Sequence, residues 1–153
     1  MRFRGLMRIP AALLVGGAML AQAPPAPQAA PAQGPFLKSV GTMKELMLNL
    51  IFPTSNEIFY VGRTEKKTEK EWEDLENNSL ILGESANLLM APNRARDNDR
   101  WMKDAQLLWD VGDKAFKASK ARDLEALKAL NADLYEACQS CHEHYRPGYR
   151  RRP

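Results

Sequence analysis

The stretch Leu124 to His142, L-E-A-L-K-A-L-N-A-D-L-Y-E-A-C-Q-S-C-H, decides how the chain folds. Leu124, Leu127, Leu130 and Leu134 recur every three or four places, the spacing of one buried face of an α-helix. That face runs on into Cys138, Cys141 and His142. At about 100° per residue the three fall within about 100° of arc, and Leu127 and Leu134 lie within about 40° of Cys138. Asp123 can cap this helix, and Pro147-Gly148 ends it.

The pentapeptide Cys138 to His142 spells C-x-x-C-H and uses both cysteines and one of the two histidines of the chain. Two thiols at this spacing can each form a thioether with a haem vinyl group while the adjacent imidazole reaches the iron, so the motif reads as c-type haem attachment. Cys138 and Cys141 are then the covalent anchors and His142 an axial ligand. His144, at about 240° from Cys138, points away from that face and reads as a surface histidine. Three other readings fit less well. A structural zinc takes four Cys or His ligands, which the rest of the chain does not supply. A thioredoxin-like pair follows a strand, and none is expected here. A disulfide across C-x-x-C inside a continuous helix is disfavoured by its geometry.

A chain of 153 residues with 44% hydrophobic and 27% charged residues suits one globular domain. No apolar run reaches the roughly 18 residues of a membrane span. Residues 1–23 place Arg2, Arg4 and Arg8 before the apolar stretch Ile9 to Leu20, with the small residues Ala21 and Ala23 after it, the order of a secretory signal. Export to the periplasm is therefore expected, and it agrees with haem attachment, which in bacteria takes place outside the cytoplasmic membrane. Removing three of the 22 basic residues with the signal leaves 19, equal to the 19 acidic ones, so nucleic-acid binding has no support in charge. Residues 24–37 are rich in Pro and Ala and read as a linker, residues 38–149 as the folded domain and residues 150–153 as a basic tail.

Within the domain, Thr42-x-x-Glu45 is a capping box that opens a first helix with Val40, Met43, Met47, Leu50 and Ile51 on one stripe. Pro53 should kink or break it, with a resumption over Ser55 to Val61. A second capping box, Thr68-x-x-Glu71, opens a helix whose stripe is Trp72, Leu75, Ser79, Leu82, Ala86 and Leu89. Asp97 to Asp99 can cap a third, with Trp101, Ala105, Leu108, Gly112 and Ala115 on its stripe, stopping around Lys120. Trp72, Trp101 and Trp109 read as core residues. Four helices with short connections and no strand-like alternation indicate an all-α, antiparallel four-helix bundle.

An export signal, four helices and a C-terminal C-x-x-C-H together resemble the class II c-type cytochromes, the cytochrome c′ and low-spin four-helix-bundle cytochrome c proteins. The likeness extends through Cys138-Gln-Ser-Cys141-His142-Glu-His-Tyr145-Arg146, with an aromatic and a basic residue three and four places after the histidine. It covers residues 38–149 and rests on pattern outside the motif. The resemblance implies one covalently attached haem c per chain, with Arg146 near the haem edge, beside a propionate. In low-spin members a methionine of the first helix is the sixth ligand, and in cytochrome c′ proper an apolar residue leaves the iron five-coordinate. Met43 and Met47 are spaced i, i+4, and family spacing favours Met47, although both also suit core filling. Met43 stands where many members carry an arginine.

These readings lead to an electron carrier rather than an enzyme: His142 and Met47 ligate the iron, and redox partner proteins meet an exposed haem edge through small interfaces. The alternative is a five-coordinate haem protein that binds or detoxifies small gases such as NO. A homodimer, the arrangement of many relatives, is the candidate assembly.

Overall fold

The computed structural model describes residues 38–64, 67–146 and 148. The expected export signal, the Pro/Ala linker, Tyr149 and the basic tail lie outside the described residues. Every regular element among the described residues is helical: α1 (Met43–Leu46), a π-helical turn (Met47–Ile51), α2 (Phe52–Phe59), a 3-10 turn (Val61–Arg63), α3 (Glu69–Met90), α4 (Arg100–Lys120), α5 (Leu124–Ala129) and α6 (Asn131–Tyr145). No helix is long and apolar enough to cross a membrane, among the described residues. α1, the π turn and α2 follow one another without a gap as a first rod, and α5 and α6 make up the fourth.

Local chemistry sets the helix starts. Both capping boxes form: Thr42 and Thr68 accept from the backbone N–H groups of Glu45 and Glu71, whose carboxylates accept in return from the capping N–H groups. Asp123 accepts from Ala126 N–H at 2.9 Å and opens α5. At α4 the cap comes from further upstream than Asp99, because Asp97 accepts from both Asp99 N–H (3.0 Å) and Trp101 N–H (2.9 Å).

Two elements differ from expectation. Pro53 does not break the first rod: the preceding turn widens, with Phe52 N–H bonded to the carbonyl of Met47 five residues back. A π turn gives the pyrrolidine ring room where it would otherwise meet the carbonyl four places earlier. The Thr54 hydroxyl donates to the carbonyls of Leu50 (2.7 Å) and Ile51 (3.1 Å), satisfying acceptors disturbed by the change of pitch. The fourth helix, expected as one piece, is interrupted at Leu130, where N–H bonds back three residues to Leu127. Asn131 follows, donating its side-chain amide to Lys128 C=O at 3.3 Å, the local competition that makes Asn a poor interior helix residue.

The rods pack antiparallel. Along α3 and α4, Leu89 C=O accepts from Trp101 Nε1 (2.8 Å), Gly83 meets Gly112, and Ser79 shares a 3.2 Å hydrogen bond with Ser119, so numbers rise on one helix as they fall on the other. Lys114 with Asp133 and Trp101 with Tyr145 give the same sense for α4 and α6. Before α1, Ser39 and Gly41 accept from Asn93 and Arg94, just past the end of α3. α2 closes the ring by touching both α3 and α6. Ile58 of the first rod, Leu82 of α3, Ala115 of α4 and Leu127 and Leu134 of the fourth rod, each lacking solvent exposure, form the centre of the core. Burying each of the leucines and the isoleucine contributes roughly 1.5–3 kcal/mol relative to exposure.

Candidate functional site

At one end of the bundle an apolar cavity opens between the first rod, α3, α4 and α6. The π turn supplies Met47 and Ile51, α3 supplies Leu89, α4 supplies Trp101, Asp104, Ala105 and Leu108, and α6 supplies Ala137, Cys138, Cys141 and His142. The leucine face of the fourth rod thus delivers all three residues of the C-x-x-C-H motif to one space. Met47 stands in the wall contributed by the first rod. Met43, one turn earlier, packs against the core but is not part of that wall.

Neither cysteine is in a disulfide. Burial pushes the Cys138 thiol up to about 11 from the ordinary 9.0. Cys141 is also pushed up to about 11, first by burial and then by the Asp104 carboxylate and Cys138, with Arg100 opposing. A redox-active or nucleophilic cysteine is ordinarily shifted the opposite way. No group of three or more His, Cys, Asp or Glu side chains is arranged to hold a metal ion among the described residues. His142 is held below its ordinary value by burial and then by the Arg146 charge, both of which favour the neutral imidazole. Arg146 itself lies exposed at the C-cap of α6. His144 is exposed, with Nδ1 3.1 Å from Ser140 C=O.

Two thiols, a neutral imidazole and a thioether around one carbon-lined space form the donor set that a covalently attached haem takes. The residues present fit that group.

Two features of the site were missed in the sequence. Trp101 is a cavity wall as well as a core residue, braced by Tyr145, whose ring meets it edge-on at 4.9 Å between centroids. The Tyr145 hydroxyl donates to Asp97, so the end of α6 is tied to the start of α4. Asp104 is 3% exposed and carries the only carboxylate in the cavity wall among the described residues. Its signal was present, since it sits three places after Trp101 and next to Ala105 on an otherwise apolar stripe.

Compared with protein-family models, with curated proteins and with solved structures, the chain finds no match.

Proposed function

We propose that the protein is an exported c-type cytochrome that carries single electrons between redox partner proteins. Cys138 and Cys141 would hold the haem through thioethers, and His142 and Met47 would ligate its iron. The observation that carries this reading is the shared cavity: the C-x-x-C-H residues of α6 and Met47 of the π turn line the same space from different rods. When bound, the group supplies a one-electron ferric/ferrous couple, which a thioether ligand biases toward the ferrous state. The chain's own part is to hold His142 neutral, to present Met47 on a turn whose pitch is set by Pro53, and to keep water away with Leu89, Trp101 and Leu108. π turns recur at functional sites because they aim a side chain that regular pitch would point elsewhere. Arg146, exposed at the end of α6, would meet a propionate.

The test is a sample matured with an intact cytochrome assembly pathway. Its denatured polypeptide should expose no titratable thiol, gain the mass of one haem and give a positive pyridine haemochrome. The reduced spectrum should show sharp low-spin bands unchanged by carbon monoxide. Met47→Leu should convert it to a broad spectrum that carbon monoxide shifts, and Met43→Leu should leave it low-spin. A wild-type spectrum already sensitive to carbon monoxide would instead favour the five-coordinate, gas-binding reading.

A further inference from the structure

We propose that Asp104 is a potential-setting residue: its carboxylate, buried in the cavity wall and held by Arg100 and Ser140, lowers the reduction potential of the group attached to α6. The inference rests on the haem reading above and adds to it a residue outside the attachment motif.

Three observations carry it. The first is cost. Asp104 and Arg100 form an ion pair at 3.3 Å, with the Asp104 side chain 3% exposed and that of Arg100 47% exposed. A carboxylate removed from water is expensive, and a half-solvated partner returns only part of that expense, so a purely structural role would be served as well by an apolar residue of similar size. The second is position. Asp104 shares the cavity wall with Cys138, Cys141 and His142. The third is linkage to the motif. Ser140, between the two cysteines, donates to Asp104 Oδ1 at 2.6 Å and accepts from Arg100 Nη2 at 3.1 Å. The negative charge is therefore pinned to the segment that bears the attachment residues and cannot swing into solvent.

The sign follows from electrostatics. Oxidation leaves the iron centre one unit more positive, and a fixed negative charge in a water-poor wall stabilises that state more than the reduced one. Arg100, in better contact with water, offsets part of the effect. Removing the two partners one at a time must then move the potential in opposite directions, which a mere loosening of the fold would not do.

The experiment is spectroelectrochemical titration of wild-type holoprotein, Asp104→Asn, Arg100→Gln and Ser140→Ala at about pH 8, well above the carboxylate range. Asp104→Asn, which keeps shape and hydrogen bonding, should raise the ferrous-to-ferric ratio at the wild-type midpoint about tenfold, a shift of roughly 59 mV for one electron. Arg100→Gln should lower the ratio, and Ser140→Ala should leave it within about twofold, since charge and not the hydroxyl sets the potential. Shifts of the same sign for Asp104→Asn and Arg100→Gln, no shift in either, or a Ser140→Ala shift as large as that of Asp104→Asn would overturn the proposal while leaving the haem reading intact. If Asp104→Asn does not mature, the fall in Arg100→Gln decides alone. A wild-type protein that matures without covalent haem overturns both.

Discussion

Midway along α3 and α4 the backbones approach so closely that a Cβ on Gly112 would stand 2.3 Å from Gly83 Cα and 2.5 Å from its nitrogen. Toward the end of the same pair, Leu89 of α3 and Trp101, Asp104 and Leu108 of α4 instead wall a cavity. Small residues make the first region: Ser79, Gly83 and Ala86 face Gly112, Ala115 and Ser119, and Ser79 and Ser119 satisfy each other inside it. Leu89, Trp101 and Leu108 frame the second, with Asp104 and Ala105 between them on α4. The contrast shows what each is for. A seam with no room for a methyl group on Gly112 contributes stability through backbone proximity, whereas a gap framed by apolar side chains, two thiols and an imidazole is the space that the proposed haem would fill.

The comparison can be broken from either side. The largest expected effect lies in the seam: Gly112→Ala forces the α3 and α4 backbones apart, which should destabilise the holoprotein by about 3 kcal/mol, read as a drop in the urea unfolding midpoint. Gly83→Ala meets Gly112 at 3.4 Å, ordinary contact, and should cost under about 1.5 kcal/mol. Equal losses would mean that the close approach is not what holds the pair. On the cavity side, Ala105→Leu puts bulk into the space proposed for the haem. It should cut haem per polypeptide at least about twofold by pyridine haemochrome while far-UV circular dichroism stays unchanged, because filling an open space strains the core less than filling a closed one.

The smallest effects should arise far from both regions. Thr68→Ala removes the hydroxyl acceptor of a capping box at the start of α3 and should cost about 1 kcal/mol, with no change in the haem spectrum. Hydrogen bonds from the Thr68 backbone and then its side chain hold the Glu71 carboxyl below its ordinary 4.5. The stability it contributes is full above that value and is lost as pH falls through the lower folded value, since the unfolded chain binds its proton first. Glu71→Gln should therefore lower the stability plateau above about pH 5 and flatten the acid limb of the stability-against-pH curve below it.

Much of this was legible because it is local. Thr42, Thr68 and Asp123 cap helices through groups three residues away, and the leucines of the fourth rod declare their face by spacing alone. Pro53 was misleading for the opposite reason: the proline rule forbids a regular turn, but a wider turn with Thr54 bonding its loose carbonyls evades the rule. The interruption at Leu130 was hidden because that leucine keeps the stripe and stays 8% exposed through the break. Asp104 depends on Ser140, 36 positions on, a pairing no pattern along the chain announces.

The sequence alone determined that the chain forms helices, where they start, and that Cys138, Cys141 and His142 share the face that Leu127 and Leu134 bury. Those are consequences of a fixed rise and rotation per residue. Which methionine stands in the cavity wall, which acid enters it and where two helices touch through glycine were decided only by the packing of rods, because they depend on distances between segments that helical periodicity does not fix.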